Sequence, residues 1–249
     1  MWGRDTLKFY IENEVFDMFP GIRFVVAIAN GLKSANTDMI AAELDAAWQN
    51  AAAEASKYGN PQSHPNILPW VERMKAVGAP RKKFPSSIEA LLRRAGKGGN
   101  PPRIEPLVDF YNTISLRYIV PAGGFDIDGL QQGLTLRLSR DGDTFEAMGE
   151  DEAVRIPEGE VSYADGSVVV TRHFVWKQSR RALLTADSRN VFFVSEVLGE
   201  LPLEVAREVR QAFADGLRRC FNVEAQTDIL DSRNPTFEGN SLMNIGGEL

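Results

Sequence analysis

The stretch that most constrains this chain runs from Ile104 to Asp128, IEPLVDFYNTISLRYIVPAGGFDID. Pro106 stands at a first helical position, where its missing N–H costs nothing. Leu107, Val108, Tyr111, Ile114 and Tyr118 then recur at three- and four-residue spacing, which predicts an amphipathic helix. Asn112 and Ser115 flank that apolar stripe, so their polar groups need partners near a core. Pro121 stops the helix, and Gly123-Gly124 offer a turn with bare backbone N–H groups. Phe125 and Ile127 alternate with Asp126 and Asp128 before Gly129, a short strand and turn. Spacing alone leaves two readings open: a pocket wall, or a helix–strand corner with ordinary surface polar groups.

Around this stretch the order of elements predicts one large α+β domain. FPGIRFVVAIANG reads as a buried strand between turn signals, and Asn36 or Thr37 caps a helix carrying Ile40, Leu44, Trp48 and Ala52 on one face. LTLRLSRDGDTFEAM and VSYADGSVVVTRHFVWK each read as a hairpin, turning at Asp-Gly. In the second, Val168, Val170, Arg172, Phe174 and Trp176 share one face, and His173 lies on the other. NVFFVSEVL adds a strand, and Pro202 opens a last helix with Cys220 on its apolar side. The reading is a mixed, mostly antiparallel sheet flanked by helices, with residues 1–225 as one domain and 226–249 as an aperiodic C-terminal extension.

Charge is distributed unevenly. The net charge is −6, yet Trp70 to Arg103 holds nine basic residues against two acidic ones, a local +7. Ser86 or Ser87 caps a short helix there, ending in Arg93 and Arg94. The concentration suggests a nucleic-acid footprint. The competing readings are a solvated face and cations complementing a helix dipole. GKGGNPP lacks the strand and the Ser or Thr of a phosphate-binding loop.

Composition narrows the chemistry. One cysteine excludes an intramolecular disulfide, and two distant histidines give no zinc spacing. His64, in a proline-rich connector, reads as a solvated loop histidine, with a catalytic base as the alternative. No Ser sits in a G-x-S-x-G elbow. The absence of a long apolar run or a signal core predicts a soluble, cytoplasmic protein, and the scarcity of histidine and cysteine predicts one without metal or cofactor.

VDFYN followed by P-x-G-G-F-D resembles the editing domain of the bacterial phenylalanyl-tRNA synthetase beta subunit, and more closely the free-standing proteins built from that domain. KKFPSSIEALLRRAGKG, EGEVSYAD, RHFVWKQS and TADSRNVFFVSE follow in family order, over about residues 20 to 221. The resemblance implies hydrolysis, in trans, of a mischarged aminoacyl-tRNA, canavanyl-tRNA for arginine among the substrates. It implies catalytic positioning by Asn112, Gly123 and Gly124, and substrate contacts from Tyr111, Ser115, Trp176, Ser188 and Glu196. It implies tRNA contacts from Lys82, Lys83, Arg93, Arg94, Lys97 and Arg180. Gly123 stands where synthetase-embedded domains carry histidine, and Ser188 where the family usually has threonine. The synthetase carboxylate that recognises tyrosine falls near Val194, two residues before Glu196. The competing classes are a non-catalytic RNA-binding module and a small-molecule binder.

Overall fold

The helix at the centre begins and ends where its sequence dictates. Pro106 occupies the first turn, and Ile119 ends the helix in the left-handed region (φ 51°) just before Pro121. The structure, a computed structural model, describes residues 6–240. In chain order its elements are β1 (Thr6–Ile11), α1 (Asn13–Met18), β2 (Arg23–Ala29), α2 (Thr37–Lys57), α3 (Leu68–Ala76), α4 (Ser87–Ala95) and α5 (Pro106–Tyr118). There follow β3 (Ala122–Asp126), β4 (Leu134–Leu138), β5 (Thr144–Phe145), β6 (Val154–Arg155), β7 (Val161–Asp165) and β8 (Val168–Arg172). β9 (Lys177–Gln178), β10 (Val191–Val197), α6 (Leu203–Phe221), β11 (Gln226–Leu230) and β12 (Thr236–Asn240) complete them.

The class is α+β, and the pairing is mixed and mostly antiparallel; only β1–β4 and β5–β8 run parallel. The strands divide between two sheets. The larger has the order β12-β1-β4-β7-β8-β5-β6 with β9 on β8, and the smaller β11-β2-β10-β3. β10 shows how they stack. Phe193 packs its ring against Phe110 of α5 and Phe213 of α6, while Phe192 meets Phe9 and Phe237 of the larger sheet. Successive strand residues point to opposite faces, so the small sheet has helices on one side and the large sheet on the other. A second apolar cluster joins α2, α4 and the far side of α5 through Leu44, Trp48, Leu92 and Leu116.

Several local expectations change. β4 pairs with β1 and β7, not β5, so the first Asp-Gly segment closes no hairpin. Buried Arg137 holds Asp143 in that loop instead. The second hairpin forms between β7 and β8 but stops at Arg172. Positive φ at His173 and Phe174 reverses the chain there, so Phe174 and Trp176 do not continue the strand face. His64 is buried, not solvated, with Nδ1 accepting from Asn66 N–H. Residues 226–240 contribute one edge strand to each sheet, β11 on β2 and β12 on β1; residues 241–249 lie outside the described residues.

Candidate functional site

β10 carries a carboxyl into the interior. By alternation from Phe192, Val194 and Glu196 face the space between the sheets. Glu196 is buried and is flanked within its sheet by Phe24. Tyr163 on β7 donates its hydroxyl to Glu196 Oε1 at 2.6 Å. Among the described residues no cation lies within 4.0 Å of this carboxyl; Arg180, whose charge would suit it, pairs instead with Glu146 and donates to Asp151 O. Burial therefore raises the Glu196 pKa to about 8, against the smaller opposing effect of the Tyr163 bond. Burial and the carboxylate together hold the Tyr163 phenol well above its ordinary range.

The two glycines lie in a strand, not a turn. β3 pairs with β10 so that Gly123 opposes Val194 and Gly124 opposes Phe193. Gly123 therefore shares the inter-sheet face with Glu196, and Gly124 faces the helices. A Cβ on Gly124 would stand 2.7 Å from both Leu184 Cδ1 and Phe193 Cδ1, whereas one on Gly123 would meet nothing within 4 Å. Gly124 permits close packing; Gly123 leaves an opening. β3 is also an edge strand. Gly124 O accepts from Gln178 Nε2 at 2.9 Å, and an antiparallel residue directs its N–H the same way as its C=O. The Gly124 N–H thus points away from β10, on an edge that Gln178 and Ala182 partly cover, since Ala182 O accepts the Asp126 N–H two residues on.

α5 lies across the small sheet from Glu196. Tyr111 rests half-buried against Phe193, its phenol pushed up to about 12 by burial. Ser115 donates to Val120 O at 2.5 Å and so closes the helix end. Asn112 is buried, and its amide makes no hydrogen bond among the described residues. Such groups in a folded interior call for a partner. The structure thus brings Gly123 and Glu196 to one face and sets Tyr111, Asn112 and Ser115 on the other side of the sheet. Tyr163, which completes the Glu196 environment, carried no sequence signal beyond being an aromatic in a strand.

The remaining expected contacts lie apart. Ser188 donates to Asp126 Oδ2 at 2.5 Å and lines a cleft of about 200 Å³ with Lys33, Thr37, Glu105 and Arg189. Trp176 packs edge-to-face with Phe84 at 4.7 Å, beside the Arg172 guanidinium. Cys220 is buried on α6, and burial pushes its thiol up. A larger cleft of about 480 Å³ between α5 and α6 has Phe110, Ile114 and Ala212 on its floor and charged residues at its rim.

Residues 70–212 match the B3/4 domain. The chain belongs to the B3/4 domain family. This is the family of the phenylalanyl-tRNA synthetase beta subunit, in line with the motif resemblance. Among solved structures the chain is similar to an N-terminal fragment of the phenylalanyl-tRNA synthetase beta subunit from Pyrococcus horikoshii. Identity is 13%, the TM-score is 0.45, and the match covers 90% of this chain and 54% of that one, about half its length. No curated protein sequence matches the chain.

The B3/4 match opens on the basic stretch. Arg73, Arg81 and Arg103 are tied to Glu200, Glu89 and Asp45. Lys75, Lys82, Lys83, Arg93, Arg94 and Lys97 are exposed with no carboxylate within 4.0 Å among the described residues. Six of the nine cations are therefore free for a partner. Arg180, by contrast, is engaged with Glu146. Among the described residues no helix is long and apolar enough to cross a membrane.

Proposed function

We propose that this B3/4 domain hydrolyses, in trans, the ester of a mischarged aminoacyl-tRNA, with canavanyl-tRNA for arginine as the first substrate to test. The observation that carries the reading is the edge of β3. Gly123 shares a face there with buried Glu196, and a Cβ on it would meet nothing within 4 Å; the Gly124 N–H turns away from β10. The ester of an aminoacyl-tRNA is already activated, so a positioned water suffices as nucleophile. Water adds to the carbonyl carbon, the oxygen that gains charge rests on the Gly124 N–H, and the ribose hydroxyl leaves with the proton. Donors placed where charge develops are a large source of rate. Asn112, buried without a protein partner, positions the water or the ester from the α5 side. Glu196 reads the side chain, and the free cations of residues 75–97 hold the tRNA backbone.

Single-turnover deacylation across a panel of mischarged tRNAs tests this. The expected outcome is turnover of a subset, reduced at least tenfold in Asn112→Ala with tRNA affinity retained. Wild-type rates in that variant place the chemistry elsewhere. Tight tRNA binding with no deacylation of any panel member makes the protein a non-catalytic RNA-binding module.

A further inference from the structure

Trp176 stands at the surface by way of a strained turn. His173 and Phe174 both have positive φ, 44° and 31°, and the Val175 N–H bonds back to His173 O at 2.5 Å. Residues other than glycine hold such angles only where the surroundings over-determine them. Here both ends of the turn are fixed. Phe174 is buried against Phe19 and Trp70, and Val175 O accepts the Ser87 N–H at 2.8 Å. The turn thus sinks Phe174 and leaves Trp176 half-buried. The Arg172 guanidinium lies over the indole, 5.7 Å from its centre, and is held by both oxygens of Glu160. Phe84, also half-buried, packs edge-to-face at 4.7 Å. Lys82 and Lys83 lead into Phe84, and Lys177 follows Trp176. All three are exposed and have no carboxylate partner among the described residues.

We infer that Trp176, backed by Arg172 and flanked by Phe84, is a stacking platform for an unpaired base at the single-stranded 3′ end of the tRNA, with Lys82, Lys83 and Lys177 on the neighbouring phosphates. This deepens the deacylase reading and rests on it for tRNA as the partner. A partly exposed indole among unpaired cations suits a strand that is at once aromatic and polyanionic. Stacking accepts any base, because each has a π-face, while the lysines answer the backbone charge. Arg172, its own charge matched by Glu160, limits the tilt of the ring. The position picks out the 3′ end. Gln178, two residues beyond Trp176, donates to Gly124 O at 2.9 Å. Two extended residues span about 7 Å, so a base on Trp176 lies beside the β3 edge assigned to the ester. Duplex RNA keeps its bases stacked on one another and offers this ring nothing.

The test compares binding of uncharged tRNA, the same tRNA trimmed of its single-stranded 3′ end, and a blunt RNA duplex, across a salt series. Trp176→Ala should weaken binding of the intact tRNA by about 5- to 100-fold and leave the trimmed tRNA and the duplex unchanged. Its salt slope should stay that of the wild type, since a stacked base displaces no counterion; replacing Lys82 and Lys83 by Ala should flatten the slope. Trp176→Phe keeps an aromatic face and should restore most of the affinity. Indole fluorescence gives a reading that does not depend on how the Ala variant folds. Trp48 and Trp70 are buried, so in a Trp2→Phe background quenching by intact tRNA reports Trp176, and Trp176→Phe should abolish it. Wild-type affinity in folded Trp176→Ala, a loss shared equally by the trimmed tRNA and the duplex, or no quenching overturns the platform. None of these measurements involves an ester. A protein that stacks the intact 3′ end and deacylates nothing therefore keeps the platform and loses the hydrolase reading, and one that deacylates with Trp176 inert in binding does the reverse.

Discussion

Two buried carboxyls, Asp143 and Glu196, have opposite surroundings. Asp143 receives both arms of the Arg137 guanidinium, at 2.6 and 3.0 Å, and the Arg140 N–H besides. Arg137 spends its remaining donors on Leu138 O and Gly166 O. Glu196 has only the Tyr163 phenol. The other deeply buried carboxylates follow Asp143: Glu89 meets Arg81, Glu160 meets Arg172, and Asp165 meets Arg181. Asp109 accepts the Ile104 N–H near the start of α5. The fold pairs four of these carboxylates with arginines and gives Asp109 a backbone N–H, whereas the side-chain hydrogen bond to Glu196 comes from a neutral phenol. The Asp143 cluster ties the loop after β4 to the β7–β8 turn; Glu196 ties nothing of comparable charge.

That contrast makes ordered predictions. The largest effect belongs to Arg137→Met, which leaves Asp143 buried without its cation. Denaturant unfolding at pH 7 should show a loss of about 3–5 kcal/mol. Glu196→Gln instead puts a neutral group where the fold already keeps one. It should cost no stability, raising it at pH 7 by up to about 1.4 kcal/mol for each pH unit above 4.5. Equal losses in the two variants would erase the distinction between them.

Next comes the pH dependence of stability. In the unfolded chain Glu196 returns to its ordinary value of 4.5, and in the fold it sits at about 8. Between those values the fold holds a proton that the unfolded chain has given up. This contribution is therefore complete below 4.5, declines as pH rises toward 8, and is gone above it, at up to about 1.4 kcal/mol per unit. Burial lowers the pKa of His64 and His173, which gives the opposite slope near and below 6.5. The difference between wild type and Glu196→Gln isolates the carboxyl. A difference that stays constant from about pH 5 to 8 contradicts a neutral Glu196.

The adjacent glycines separate at a smaller scale. Gly124→Ala drives a methyl into Leu184 and Phe193 and should cost about 1–3 kcal/mol. Gly123→Ala meets open space and should stay within about 0.5 kcal/mol. If the two cost the same in thermal unfolding, the opening at Gly123 is not there. The smallest stability effect belongs to the exposed cations. Replacing Lys82, Lys83, Arg93 and Arg94 by Ala should leave unfolding within about 0.5 kcal/mol. The same change should flatten the salt dependence of tRNA binding, by up to about 0.9 in log–log slope for each duplex phosphate no longer neutralised. An unchanged slope assigns these residues to solvent.

Residues whose roles depend on near neighbours were legible in the sequence. The helix from Pro106, the Asn36 cap on Met39 N–H and the Ser86 cap on Glu89 N–H follow from spacing and local hydrogen bonding. The basic stretch was equally plain, because exposed charge needs no partner to be seen. What failed was whatever required knowing the next layer. Gly123-Gly124 read as a turn because glycine frees the backbone, but pairing with β10 extends it. The strand face expected to run on to Trp176 ends where His173 and Phe174 turn the chain. Residues 226–240 lacked periodicity because β11 and β12 are edge strands, and much of their surface stays at the margin of the core.

The candidate site divides along the same line. Its residue types are local facts: a carboxyl in an apolar strand, a glycine pair after a helix, a polar amide beside an apolar stripe. Their arrangement is not. Alternation alone puts Glu196 and Phe193 on opposite faces of β10, but which face meets a second sheet depends on β7 arriving from 33 residues away with Tyr163. Only that arrival makes Glu196 a buried acid with a phenol for company, and only the register of β3 makes Gly123 its open neighbour while sending α5 and Asn112 to the other side. Side-chain chemistry is written one residue at a time; desolvation and counter-ions come from whatever packs against it, which in this protein is a strand the local sequence does not contain.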